Sequence, residues 1–353
     1  MTKSKEITYI ILGIIAAGLA ATILIFGNKK GKPATPDTPG SGKITGTPAK
    51  KADADGSNGI FAYTLEGDKV IITGFAELFE EAFEKLGADV SYPCFSKGIL
   101  VIPGIIEGHP VSAVDEQAFF EDERIKGLVV SDGVTEIRAN AFEGCTEIAD
   151  VSFPDSLKTI RESAFSGCNG LTVVKLPKNL KILEDFAFKC CDNLLEFETP
   201  VTLGIENVFD CEYIEKVILS EGLTFIEESA FTAFESLKEA VLPSTLEMIG
   251  EYAFSGCVCL QKINFPEGLL NIGEDAFEMC EALETVVLPE SLTVLSEYAF
   301  AGCTSLKSAN IPAACETIGD YVFDECEEIE LIVKADTEGQ AYAEREEIPY
   351  KVK

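Results

Sequence analysis

The sequence predicts an α/β solenoid of ten stacked units, each of about 23 residues. Three observations point to it. A marker phenylalanine recurs as Phe119, Phe142, Phe165, Phe188, Phe209, Phe231, Phe254, Phe277, Phe300 and Phe323, and seven of the nine gaps equal 23. The stretches LTVVKLPKNLKILEDFAFKCCDN, LQKINFPEGLLNIGEDAFEMCEA and LETVVLPESLTVLSEYAFAGCTS, starting at Leu171, Leu260 and Leu283, share one template, L-x-x-V-x-L-P-x-x-L-x-x-I-x-x-x-A-F-x-x-C. Cysteine stands three residues after the marker at Cys145, Cys168, Cys191, Cys257, Cys280, Cys303 and Cys326. A fixed period of this length marks a stacked-repeat architecture, because one unit cannot bury its own apolar side chains.

Within a unit, Leu283, Val286 and Leu288 give a short strand with one buried face. Proline follows the strand in seven copies, as at Pro154, Pro243 and Pro289, and ends it because proline donates no ladder hydrogen bond. The A-F-x-x-C part reads as a short helical or 3₁₀ turn that drops Ala, Phe and Cys inward. Stacking at about 4.8 Å per strand puts each side chain over its own kind and gives a core roughly 50 Å long.

With I-P or L-P after the strand and A-F-x-x-C in the return, residues 60–353 closely resemble the BspA-type leucine-rich repeat family. The resemblance implies a curved leucine-rich repeat horseshoe with β/α or β/3₁₀ units. It also implies a cell-surface protein of bacteria or microbial eukaryotes that binds other proteins or host matrix.

The array runs over 118–334, between an N-terminal cap at 60–117 and a C-terminal cap at 335–353. Phe61, Tyr63 and Leu65, then Val70 and Ile72, flank a Glu66-Gly67-Asp68 turn and predict a hairpin over the first rung. LVIPGIIEGHPVSAV resembles the family's entry into repeat one, where an aromatic often stands at the His109 position. Thr337–Glu346 reads as a short helix and IPYKV as a closing strand.

Two stretches depart from the pattern. Residues 76–86 (AELFEEAFEKL) set Leu78, Phe79, Ala82, Phe83 and Leu86 on one helical face opposite Glu77, Glu80, Glu81 and Glu84. That helix either packs on the cap or docks a partner. The repeat at 194–213 is three residues short, which predicts a local kink or a binding notch.

Ahead of the array, and after a flank at 1–6, Ile7 to Phe26 is twenty residues without a charge. As a helix it is about 30 Å long, enough to span a bilayer. A secretory signal peptide is the alternative. A small-x-small cleavage site such as Gly18-Leu19-Ala20 would leave ATILIF on the mature protein, so an uncleaved anchor fits better. Lysines lie on both sides of the span and do not decide its orientation. Residues 27–59 are rich in Gly, Pro, Thr and Lys and read as a disordered linker.

The chain has 353 residues and a net charge of −32, from 60 acidic and 28 basic side chains. Nucleic-acid binding rests on cations, so this balance argues against a nucleic-acid partner. A single histidine, His109, excludes multi-histidine metal sites and most His-dependent nucleophiles. No phosphate loop, triad or metal-ligand set stands out. The expectation is therefore a non-enzyme without a cofactor.

Three rows of residues remain to be explained. Cysteine trades with Phe234 in its column and with leucine at Cys315, the behaviour of a small buried hydrophobe. Disulfides between rungs, or zinc at Cys257-Val258-Cys259, are the alternatives. An acid stands three residues before the marker in nine of ten repeats, from Glu116 to Asp320. It reads either as a helix N-terminal carboxylate or as a cation-gathering row. The outward strand row is Val129, Ser152, Lys175, Glu198, Ile218, Val241, Asn264, Val287, Asn310 and Val333, half of it aliphatic. This is either ordinary β-propensity or a binding face.

A binding face would centre on Ile218, Val241 and Val287, with Lys216, Glu239, Lys262, Asn264 and Thr285 around them. The predicted function is thus a membrane-anchored surface protein, held through Ile7 to Phe26 with its solenoid outside the cell, that binds a protein or matrix ligand. The alternative is a structural or cation-organised envelope protein without a discrete ligand.

Overall fold

The computed structural model describes residues 60–86, 91–92, 94–200, 208 and 213–353. The span expected at Ile7 to Phe26, the linker at 27–59 and most of the short repeat's return lie outside the described residues. Among the described residues, no helix is long and apolar enough to cross a membrane.

Each rung has three sides. The L-x-x-V-x-L segment forms the first parallel ladder, through strands such as Val173–Lys175, Glu196–Thr199, Lys216–Leu219, Glu239–Val241 and Lys262–Ile263. The L-x-x-I segment forms a second parallel ladder of two-residue strands, among them Thr159–Ile160, Met248–Ile249 and Asn271–Ile272. The third side holds the marker Phe. It is no helix: among the described residues the only α-helices are Glu77–Leu86 and Glu338–Arg345, both in the caps. The array is thus a β-solenoid, which corrects the α/β expectation.

The turn side is held by an unusual backbone. The residue two before the marker is left-handed, as at Asn140, Ser163 and Tyr252 (φ 54° to 56°). So is the residue two after it, as at Gly144, Cys190 and Gly256 (φ 54° to 74°). Left-handed backbone costs a non-glycine residue about 1–2 kcal/mol. The return on that strain is visible in the hydrogen bonds. Asn140 N donates to Glu162 O (3.0 Å), Phe142 N to Ala164 O (2.8 Å) and Gly144 N to Ser166 O (2.7 Å). The residues between them close turns within their own rung, such as Glu143 N to Asn140 O (3.2 Å). Alternate amides therefore all point to the following rung and make a third ladder.

Identical side chains stack inside. Phe142 and Phe165 have centroids 5.2 Å apart and rings 7° from parallel, and Phe165 and Phe188 are 5.3 Å and 6°. The column resumes at Phe231–Phe254 (5.1 Å) and runs through Phe277 and Phe300 to Phe323. Offset parallel rings at this separation add attraction beyond simple burial. Ala, Leu and Ile columns of the same register are buried beside them.

Two breaks divide the first ladder. One separates Asp150–Ser152 from Val173–Lys175, and the other Lys262–Ile263 from Thr285–Val287. Both follow a rung with Phe where the flanking rungs carry smaller aliphatics, Val130 and Leu176 about Phe153 and Leu242 and Leu288 about Phe265. Phe153 turns edge-on to Phe165 (5.5 Å, 70°) and Phe265 edge-on to Phe277 (5.5 Å, 83°). A ring in a leucine-sized slot spreads adjacent rungs, and the strand hydrogen bonds give way. The short repeat makes no such break, since Glu196–Thr199 pairs with Lys216–Leu219 across it in full register.

The caps feed the ladders directly. Strands Phe61–Glu66 and Lys69–Phe75 form the expected hairpin, and the second pairs in parallel with His109–Val114. Strands Ser91–Tyr92 and Phe95–Ser96 lead antiparallel into Ile99–Ile102, which starts the first ladder. Helix Glu77–Leu86 packs onto this cap through Phe79, whose ring stacks on Phe75 (4.3 Å). Phe75 in turn meets Phe119 edge-on (5.0 Å) and so begins the Phe column. Arg124 covers Phe75 at 4.9 Å while pairing with Glu80 (2.5 Å) and Asp122 (2.5 Å). At the other end, Tyr342 of helix Glu338–Arg345 is buried against Phe323 (6.2 Å), and Tyr350–Val352 pairs with Glu330–Val333.

Candidate interaction face

The first ladder sets the predicted face residues in register. Lys216 lies between Glu196 and Glu239, and Glu239 pairs in register with Lys262. Lys216 Nζ is 3.8 Å from Glu196 and 3.9 Å from Glu239, while Lys175 Nζ is 2.7 Å from Glu198. Beside this row of alternating charge, Ile218 faces Glu198 on one side and Val241 on the other. Exposed pairs of this kind contribute at most about 1 kcal/mol each, so their regularity serves register and surface pattern more than stability.

The eight candidates do not form one patch. Lys216, Ile218, Glu239, Val241 and Lys262 share one five-stranded ladder, whereas Thr285 and Val287 lie beyond the break, paired with Ser308 and Asn310. Val287 is the most open apolar side chain, at 73% exposure, while Ile218 and Val241 are half-buried.

Four positions depart from the outward row. Val129 (7% exposed) is covered by Ile99 of the cap, and Val333 is buried because the register sets Ile332, not Val333, opposite Asn310, which puts Val333 on the inward side. Asn264 turns back to the preceding rung. Its Oδ1 accepts from Leu242 N (2.9 Å) and its Nδ2 donates to Leu242 O (3.0 Å). Asn310 does the same to Leu288 (2.7 and 2.8 Å). These amides stand in for a strand peptide beside the last paired residues, so Asn264, exposed as it is, serves as a brace. Polar Asn between two apolar strand positions was the available signal.

The cysteine column has a second use. Each column thiol donates to the marker carbonyl of the preceding rung: Cys145 to Phe119 O (3.0 Å), Cys257 to Phe231 O (3.1 Å) and Cys280 to Phe254 O (3.3 Å). A side chain of this size fits the slot and satisfies a carbonyl that serine would satisfy only at a higher desolvation cost. No disulfide joins two of the described cysteines. Burial pushes the Cys145 thiol up to about 12 and the Cys326 thiol to about 11, which removes nucleophilic character. Phe234 replaces the thiol with a buried ring edge-on to Phe231 (5.5 Å).

The acids before the marker start no helix, which corrects the helix-dipole reading. Their backbone carbonyls accept from the preceding turn, as Glu251 O does from Ser229 N (2.9 Å) and Glu274 O from Tyr252 N (2.9 Å). Their carboxylates are exposed. Loss of solvent, then the charges of Asp275, Glu251 and Glu297, hold the Glu274 carboxyl above its usual range. No group of three or more His, Cys, Asp or Glu among the described residues could hold a metal ion. His109 is exposed, with Nδ1 3.2 Å from Asp68 O.

Sequence reasoning missed a cleft of about 450 Å³ beside the first ladder break, between Phe153 and Ser220. Its signals were a phenylalanine in a leucine position and a serine where seven rungs carry proline.

Among solved structures, the chain is similar to a leucine-rich repeat protein from Bacteroides ovatus (19% identity, TM-score 0.32), covering 85% of this chain and all of that one. It is also similar to a leucine-rich cell surface protein from Faecalibacterium prausnitzii (20%, 0.35), covering 83% and 97% of the two chains. A third likeness is to the pneumococcal vaccine antigen PcpA (16%, 0.33), covering 86% and 100%. No curated protein matches the chain significantly. The family model for the BspA type leucine rich repeat region matches six copies over residues 112–234 and 204–330, more than half of the sequence. With the repeat, the Phe column and both caps in place, the chain belongs to the BspA-type leucine-rich repeat family.

Proposed function

We propose that this chain is a surface-displayed binding protein without catalytic activity. A span at Ile7 to Phe26 tethers it, residues 27–59 space it from the membrane, and the solenoid, held outside the cell, binds a protein or matrix component. The observation that carries this reading is the strand face, where alternating Glu196, Lys216, Glu239 and Lys262 run beside Ile218 and Val241. A rigid, charge-patterned strip with an aliphatic centre suits recognition by shape and charge over a long surface. Val287 extends the apolar strip past the break. The overall charge of −32 favours a partner with a basic surface and rapid, salt-sensitive encounter.

Changing Val241→Asp and Val287→Asp together should abolish capture of the physiological partner and leave the melting temperature nearly unchanged. Intact capture by that variant would refute the face. Protease shaving of intact cells tests the placement, since loss of the solenoid epitope puts it outside. The column of carboxylates supports a second reading, a cation-organised envelope protein. On the binding reading, calcium raises the melting temperature no more than magnesium at equal ionic strength; a saturable, calcium-selective rise supports the second.

A further inference from the structure

The first ladder breaks beside Phe153, and the space it opens is a built cleft. On one wall lie the apolar Phe153 and Pro177, and at the far end lies Ser220. Ser220 takes the place that proline holds in seven rungs. Its amide donates to Thr199 O (2.9 Å), but its Oγ is buried without a hydrogen-bond partner, and the residue is only 9% exposed. Buried hydroxyls are seldom left so, and the residue that carries this one lines a cleft with room for a side chain.

The electrostatics select the occupant. Lys175 and Lys178 sit at the rim, 73% and 67% exposed, and each is already paired, with Glu198 and with Asp155 (both 2.7 Å). Glu221 is the third carboxylate of the lining. The amide (3.0 Å) and hydroxyl (2.8 Å) of Ser244 donate to it and hold its carboxyl below the usual range. Three carboxylates against two ammoniums leave the cleft acidic, on a chain whose whole field repels anions.

We infer that this cleft seats an arginine side chain from an extended, basic segment of the protein partner. The inference rests on the protein-binding reading above and assigns it an anchor. The aliphatic stem would lie along Pro177, the guanidinium face on Phe153, and its N–H fork would donate to a rim carboxylate and to Ser220 Oγ once that hydroxyl rotates into the cleft. Arginine fits better than lysine because it is planar, weakly hydrated and able to donate in several directions at once.

The test uses the full-length chain in mild detergent and a fluorescent, end-blocked peptide of glycine and serine carrying three arginines. A second peptide replaces arginine by citrulline, which keeps the shape and removes the charge. Fluorescence anisotropy should show saturable binding of the first, at least tenfold tighter than the second. Ser220→Ala leaves the net charge unchanged and so separates a seat from diffuse attraction. It and Glu198→Gln should each weaken the arginine peptide about tenfold, the loss expected for a hydrogen bond to a charged group, with melting temperatures close to the parent. Equal affinity for the two peptides overturns the inference on the unaltered chain alone. So does full affinity in both variants, or no saturable binding of the arginine peptide. If the cleft fails in this way while Val241→Asp with Val287→Asp still abolishes partner capture, the broader binding reading stands without it.

Discussion

The turn side and the strand face of the same rungs obey different rules. In the turn column most described side chains stack on their own kind, at about 5 Å between Phe254 and both of its neighbours. Its backbone is committed to three cross-rung bonds per turn, and even the cysteine thiol answers a carbonyl. A change there is felt by three rungs. On the strand face the inward residues repeat, but the outward ones vary from Lys216 to Ile218 to Val287, because only solvent and in-register neighbours constrain them. The solenoid thus separates the residues that fix the fold from the residues free to take on recognition.

That contrast can be broken by experiment. Phe254→Ala removes a fully buried ring from mid-column and should destabilise by about 3–5 kcal/mol in denaturant unfolding. A loss under about 1 kcal/mol would mean the column is slack. Asn264→Ala removes both bonds to Leu242 and should cost about 1–2 kcal/mol, far more than its surface position suggests. Lys262→Ala, two residues away on the same strip, should stay within about 0.5 kcal/mol. Equal costs for the two would erase the distinction between brace and face.

Thiol chemistry sharpens the comparison. Cys190 is exposed and Cys259 half-buried, so these two should react with a thiol reagent in the native protein. The column thiols, sealed and raised in pKa, should react only after denaturant is added. Rapid native labelling of Cys280 would show that the turns open readily.

The smallest expected effect concerns Asp150, at the strand edge. Burial raises its carboxyl above the ordinary range, and its Oδ2 has no partner. The folded chain therefore holds this proton more tightly than the unfolded one. Its contribution favours the fold below the ordinary carboxylate range and is lost as pH rises through the raised value. Asp150→Asn should flatten that part of the stability profile and raise stability at neutral pH. An unchanged slope across the acid range would discount the site.

The fold was legible where a side chain must repeat. Phe142, Phe165 and Phe188 stand 23 residues apart because stacking allows nothing else, and the period exposed them. The second ladder was not legible, since strands of two residues such as Met248–Ile249 are too short to show alternation. The left-handed turn was hidden as well. Its positions accept Asn, Ser, Tyr and Asp alike, because tertiary hydrogen bonding overrides local preference. Of the interaction face, the sequence supplied the register of Lys216, Glu239 and Lys262 correctly, because a ladder fixes it. It could not show that Val129 lies under the cap or that Asn264 bends backward, since both depend on what neighbouring segments leave uncovered.

The turn ladder gives the array a direction. Amides donate toward the C-terminus and thiols donate toward the N-terminus, so the two ends of the stack are chemically unlike. At the last rung the backbone of Phe323 reaches the Tyr342 hydroxyl, where an inner rung would meet the next alanine carbonyl. A stack stripped of both caps would present bare donors at one end, complementary to the bare carbonyls at the opposite end of another copy. Such copies could join only tail to head, and where the rotation between them does not close a ring, a contact of that kind grows into a one-way filament. The terminal tyrosine is therefore a stopper as much as a prop.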